Sequence, residues 1–296
     1  MVSRGREGRA VLALIAASFL FGATFVVVKS ALDDIPPFGF IGWRFLIGAL
    51  VLAALGLPRG RTIWIHGSIC GLALFAGYAL QTSGLQYATA SASALITGLY
   101  VVITPFLVGV VTRRLPRALV ILGAFLAFLG VALLTGVDGF TLGAGEWLTI
   151  GCALAFACHI VLLSHYANRH PVIPFTMVQV ALTSVLSFVT ALFIEGGITF
   201  PGRSVWAALA LTGIGVTAGA FVLQIWAQTV VGASTAAVVL AAEPAFGVLA
   251  GWVVLGERLD LLGWIGAFLI LVAIYLVVSK QRDQASREAE AVSLAH

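Results

Sequence analysis

Charge is what this sequence has least of. Only 9 % of its 296 residues are charged, while 61 % are hydrophobic and the mean hydropathy is +1.10. A soluble domain carries about 25 % charged residues, and even a large one needs a polar shell over its core. A water-soluble globule is therefore excluded, and lipid must be the solvent for much of the surface. Cysteine is equally scarce. Cys70, Cys152 and Cys158 lie inside apolar runs, and their odd number and spacing exclude a disulfide framework or a metal site. The sequence contains no HExxH, no P-loop and no nucleophile elbow, which leaves it without the motifs of hydrolytic or nucleotide chemistry. No cofactor is implied. The first hydrophobic run lacks a small-residue cleavage site and is followed by further runs, so it does not read as a cleavable signal.

What is present is a series of long uncharged stretches. Ala10 to Val28 holds no charge, and Thr62 to Thr112 runs for 51 residues, enough for two helices. Ala118–Val137, Trp147–Asn168, His170–Ile194 and Leu261–Ser279 are single-helix lengths, and Ser204–Ala242 covers one helix and the start of another. A membrane crossing takes about 20 apolar residues. The expected fold is all-α and polytopic, with ten transmembrane helices at 10–30, 38–56, 63–86, 90–111, 117–136, 145–167, 174–194, 204–230, 234–255 and 261–279.

The formal charge of +4 resides between these runs, where it reads as a topology signal and not as a nucleic-acid surface. With the N-terminus inside, the inner segments hold twelve Lys and Arg residues. The outer ends hold three, Lys29, Arg203 and Arg258, and Arg44 lies within the second span. This positive-inside bias places both termini in the cytoplasm and requires an even number of spans.

The chain also repeats itself. Gly123-Ala-Phe-Leu126 recurs 143 positions later as Gly266-Ala-Phe-Leu269. At the same offset Tyr78-Ala-Leu-Gln81 matches Phe221-Val-Leu-Gln224, and Ala90-Ser91 matches Ala233-Ser234. Each copy has five spans, an odd number, so the second enters the membrane inverted. The expected division is 1–142 for the first repeat, 143–280 for the second and 281–296 for a polar cytoplasmic tail. Inverted repeats are characteristic of transporters with a midplane site. Pro105 and Pro244 are 139 apart, one helical turn off this offset.

Five motifs carry a family resemblance: Phe21-Gly-Ala-Thr-Phe-Val-Val-Val-Lys29, Trp43-Arg44-Phe-Leu, Thr97-Gly-Leu-Tyr100 through Pro105, Glu243-Pro244 and Gly256-Glu257-Arg258-Leu259. In this order and spacing the chain, over residues 10–280, resembles the ten-helix bacterial EamA branch of the drug/metabolite transporter superfamily. The resemblance implies a non-enzymatic exporter of amino acids or other metabolites in the bacterial inner membrane, with relatives that carry drugs, sugars or nucleotide sugars. Its partners would be a small-molecule substrate and the bilayer, with no nucleic acid. Without a nucleotide-binding domain the carrier is secondary or facilitative. A receptor or structural subunit is the rival class, separated from a carrier by solute counterflow in proteoliposomes.

Polar residues inside spans are costly and usually face the bundle interior. Aligning Pro36-Pro37-Phe38 with Ile173-Pro174-Phe175 pairs the face Ser18, Gly22, Phe25 and Lys29 with Ala155, His159, Leu162 and Tyr166. His159 is read either as a solute contact or as a satisfied hydrogen-bond partner. Tyr78 and Gln81 share a face of the third span, Phe221, Gln224 and Gln228 one of the eighth, and Tyr100 belongs to the fourth. Aromatic walls with a few amides and hydroxyls suit an amino acid. Tyr78, Gln81, Tyr100, His159, Gln224 and Gln228 are therefore the substrate-binding candidates. Arg44 either reaches outward to Asp33 or Asp34 or binds a substrate carboxylate. Glu243 is expected mid-span, where an ionised carboxylate costs at least about 2.5 kcal/mol. It either patches the helix break at Pro244, donating to the freed Leu240 carbonyl, or gains and loses a proton during transport.

Overall fold

The structure is a computed structural model that describes residues 4–113, 118–134, 142–231, 236, 239–240, 242–273 and 275–276. The helices are α1 (Arg4–Ala31), α2 (Pro37–Leu55), α3 (Arg61–Leu85), α4 (Ala90–Thr97), α5 (Tyr100–Thr112), α6 (Ala118–Leu134), α7 (Ala144–Tyr166) and α8 (Val172–Ile194). The next span starts as α9 (Val205–Ala210), passes through a π-helical stretch, Leu211–Ala220, and ends as α10 (Phe221–Val230). After it come α11 (Glu243–Leu255) and α12 (Leu261–Ala273). Among the described residues, seven spans are long and apolar enough to cross a membrane. With the shorter α6, α11 and α12 they make up ten, all helical, as a bilayer requires when no water can satisfy an open backbone. The expected C-terminal tail, 281–296, and residues 114–117 and 135–141 lie outside the described residues.

Duplication shows in the packing. The most extensive contacts between spans are α2 with α8, α3 with α7 and with α8, α1 with α10 and α11, α2 with the π-helical stretch, α4 with α11, and α4 and α5 with α7. Exchanging each span for the one five places along maps this set onto itself. The α3–α7 contact becomes α10–α1, α3–α8 becomes α2 with the π-helical stretch, and α1–α11 becomes α7 with α4 and α5. The pairs α2–α8 and α4–α11 map to themselves, so they lie on the pseudo-two-fold axis.

The fourth and ninth spans are both interrupted. Between α4 and α5 the chain turns at Gly98-Leu99, and α5 begins at Tyr100. Tyr100 plus 143 is Glu243, and α11 begins there, after a turn at Ala242. The repeated feature is thus the helix break, and not the proline. Pro244 opens α11, where its missing N–H is harmless, whereas Pro105 lies inside α5. Glu243, expected in the middle of the ninth span, is the first residue of α11.

Charged side chains at the rim cap helix ends, Lys29 within the first repeat and Glu257 and Glu195 across from the second to the first. Lys29 Nζ donates to the carbonyls of Leu85 (2.6 Å) and Ala88 (3.0 Å) at the end of α3. Glu257 accepts from the N–H groups of Ala90 and Ser91, both at 2.8 Å, at the start of α4. Glu195 does the same for Phe38 (2.7 Å) and Gly39 (3.0 Å) on α2. A carboxylate at a helix N-terminus satisfies orphan donors and opposes the dipole. The motif residues Lys29 and Glu257 are therefore clamps on the α3–α4 corner.

The buried apolar residues fall into three layers. Phe25, Val28, Ile35, Leu85, Ala94 and Leu209 form one at the Lys29–Glu257 end. Ile63, Cys70, Leu163, Ala167, Phe175 and Ile225 form another at the Arg61–Arg169 end, and the largest runs through the rest of the bundle. Outside that second layer His66 Nδ1 lies 2.8 Å from His170 Nε2, linking the two repeats. Such a bond needs one bare ring nitrogen. Burial, then the nearby His66 and Arg169, hold the His170 imidazole below its ordinary pKa.

Candidate functional site

The two helix breaks meet in the middle of the molecule. Tyr100 Oη donates to Glu243 Oε2 (3.1 Å) and approaches the Leu240 carbonyl at the same distance. Ser18 Oγ, from α1, also donates to Leu240 O (3.2 Å). Pro244, four residues on, has no N–H to offer that carbonyl. The Ser18 hydroxyl satisfies it, so Glu243 is not needed as its donor. Glu243 instead accepts from Tyr100 with one oxygen. Its other oxygen has no hydrogen-bond partner among the described residues.

Beside this junction lies a cavity with about 470 Å3 of space unfilled by atoms, its open mouth included. Phe21, Phe25, Tyr78, Phe156 and Phe221 supply much of its wall, with Tyr100 and Glu243 at the breaks. Gln81, Gln224, Thr24 and His159 are the other polar side chains that reach it. The repeat pairs Tyr78/Phe221, Gln81/Gln224 and Tyr100/Glu243 all contribute, so the cavity straddles the pseudo-two-fold axis. The structure thus brings together five of the six substrate-binding candidates, Tyr78, Gln81, Tyr100, His159 and Gln224, with Glu243.

The polar groups are not equally free. Gln81 Nε2 donates to Thr97 Oγ1 (3.3 Å). His159 Nε2 lies 2.9 Å from Gln179 Oε1; an amide oxygen can only accept, so that ring nitrogen carries a proton. His159 is therefore both a wall residue and a held one. The Gln224 amide has no partner among the described residues, although it faces the cavity.

Two candidates stand elsewhere. Arg44 is 2 % exposed and does not reach Asp33 or Asp34. Its Nε donates to Thr217 Oγ1 (2.9 Å), and its guanidinium carbon lies 4.9 Å from the Tyr78 ring centroid. It thus sits behind the Tyr78 wall, because Thr217 in the π-helical stretch offers a partner closer than the rim. Gln228 is buried one turn past Gln224, off the cavity. Neither its side-chain nitrogen nor its oxygen has a partner among the described residues. An unmade hydrogen bond of this kind costs about 1–3 kcal/mol.

Sequence reasoning named Phe25 only as part of the α1 face and missed the wall roles of Phe21, Thr24, Phe156 and Ile160. Phe21 and Phe25, four apart on that face, carried a usable signal. Phe156 carried none, because α7 is apolar all round.

The sequence profile of the EamA-like transporter family matches this chain twice, over residues 8–136 and 143–279. The chain belongs to the EamA-like transporter family. Consistent with this, a protein of Archaeoglobus fulgidus named as an uncharacterized transporter is 35 % identical over 266 residues, 90 % of this chain and 84 % of that protein. An aromatic amino acid exporter, YddG of Ancylobacter novellus, is 27 % identical over 221 residues, 69 % of this chain and 74 % of that one. A solved crystal structure superposes with a TM-score of 0.67 at 22 % identity, covering 93 % of this chain and 98 % of the other, which shows the shared fold. This EamA protein is a multi-pass membrane transporter, and its helix-break cavity lies where its two family repeats meet.

Proposed function

We propose that this EamA protein is a secondary or facilitative carrier, not an enzyme, that exports small amphiphilic metabolites, amino acids first among them. The observation that carries the reading is the cavity wall of six aromatic side chains around one carboxylate and two amides. An ammonium group is attracted both to the free Glu243 oxygen and to aromatic faces. The Gln224 amide and the Thr24 hydroxyl offer donors to a carboxylate, and the aromatic walls suit an apolar side chain. Rocking of residues 1–142 against 143–280 would present the cavity to each side in turn. A relative that exports aromatic amino acids supports the same substrate class.

The direct test is counterflow of L-phenylalanine, L-leucine, a sugar and a nucleotide in proteoliposomes. Gln224→Ala should weaken amino-acid affinity about three- to tenfold, the worth of one neutral hydrogen bond. Its thermal stability should stay unchanged, because the amide has no partner to lose. Gln81→Ala should weaken affinity similarly and lower Tm, since Thr97 loses its donor. Unchanged affinity with reduced stability in both variants would make these residues interhelical struts.

The reading places the protein in the bacterial inner membrane with cytoplasmic termini, on the strength of the basic-residue bias. Single cysteines at Gly60 and Asn168 should then react with an impermeant maleimide from the cytoplasm, and one at Gly197 from outside. The reverse pattern would overturn the orientation.

A further inference from the structure

Gln228 is 4 % exposed, and both ends of its amide are unpaired among the described residues. It lies seven residues after Phe221 and four after Gln224, on one face of α10. The first two line the cavity, so the stripe continues out of the cavity towards the Arg61–Arg169 end. There α10 meets the apolar layer of Leu163, Phe175 and Ile225. At the opposite end the repeat mate of Gln228 is Leu85, which is 1 % exposed and packed in the other apolar layer. The first repeat therefore fills this position with hydrocarbon, while the second encloses an amide that this arrangement leaves unsatisfied.

The segment leading into α10 supplies a way to move it. Leu211–Ala220 is π-helical, whereas the matching residues 68–77 lie in the regular α-helix of α3. A π-helical stretch holds slack in the ladder and is found at functional sites. Each residue of slippage between π and α register turns the downstream helix by about 100° and shifts it by about 1.5 Å. The first repeat has no such stretch in its third span, so the device belongs to the second repeat.

We infer that Gln228 is the hydrogen-bonding contact through which solute passes between the cavity and the Arg61–Arg169 end. It meets water and solute when the Leu163–Phe175–Ile225 layer parts, and for an exporter oriented by its basic residues it is the first amide a cytoplasmic solute reaches. The inference rests on the carrier reading above and adds a residue outside the present cavity to the transport path.

Three variants test it: Gln228→Leu, which copies the repeat mate, Gln228→Asn, which keeps an amide, and Gln228→Cys in a chain with Cys70, Cys152 and Cys158 replaced by Ala. Gln228→Leu should raise Tm by about 2–4 °C, because the unpaired amide is gone. It should also slow L-phenylalanine counterflow about tenfold, the size of a strong lost hydrogen bond, and Gln228→Asn should recover most of that rate. A water-soluble methanethiosulfonate should label Gln228→Cys several-fold faster than Ile225→Cys, although both sites are buried here. Wild-type counterflow in Gln228→Leu overturns the inference, as does a lowered Tm in that variant. Labelling no faster at position 228 than at 225 overturns it as well. Absence of counterflow in the unmodified protein would instead sink the amino-acid reading, while the labelling comparison still decides the role of Gln228.

Discussion

Glu243→Gln is expected to abolish solute flux driven by a pH gradient, down to the level of protein-free vesicles, while exchange at equal pH continues. Tyr100 donates to one Glu243 oxygen, and the amide oxygen of Gln accepts that bond equally well. The Leu240 carbonyl is unaffected, because Ser18 donates to it. The substitution thus leaves the meeting of the two helix breaks intact and removes only the capacity to bind and release a proton. Losing the negative charge also weakens attraction for an ammonium, so exchange should persist at a raised half-saturation concentration. The measurement is paired: uptake of L-phenylalanine into vesicles with an imposed pH difference, and counterflow without one. If pH-driven uptake in the variant matches the unmodified protein, Glu243 does not couple transport to protons. A loss of both modes together with a lower Tm would show a structural patch at the break.

Gly22→Ala should lower Tm by about 3–10 °C, the consequence of an overpacking cost of about 1–3 kcal/mol in a chain of this size. A Cβ on Gly22 would lie 2.6 Å from the Glu243 carbonyl oxygen, 2.7 Å from Phe246 Cβ and 2.9 Å from the Gly247 nitrogen. Two of these are backbone atoms near the start of α11, which cannot step aside as a flexible side chain can. Relief requires α11 to move away from α1, which carries Glu243 away from the cavity, so both modes of flux should fall with stability. Gly8→Ala is the control, because a Cβ there meets nothing within 4 Å. Replacing an exposed helical glycine by alanine is neutral or stabilising. Equal melting of the two variants would disprove the close α1–α11 contact.

Gly22 also shows how sequence and structure divide the work. Its place on the α1 face with Ser18, Phe25 and Lys29 was readable, and small residues let helices approach closely. Which helix approaches was not readable, since α11 begins 221 residues later and nothing local points to it. Arg44 is a second case. Its depth in the second span identified it as unusual, but its partner Thr217 lies 173 residues away in a π-helical stretch with no sequence signature.

The sequence by itself determined the solvent, the number of spans, the duplication and the family, together with most of the polar groups that meet at the cavity. Each comes from a one-dimensional property: scarcity of charge, run length, an offset of 143 and ordered motifs. Tertiary structure alone decided that Tyr100 and Glu243 join two broken helices, that Arg44 stands behind Tyr78, and that Gln228 is enclosed without a partner among the described residues. The physical reason is that these helices are apolar on every side. In a soluble helix the polar face announces which side is buried; here lipid and protein accept the same side chains, so only packing chooses the inward face.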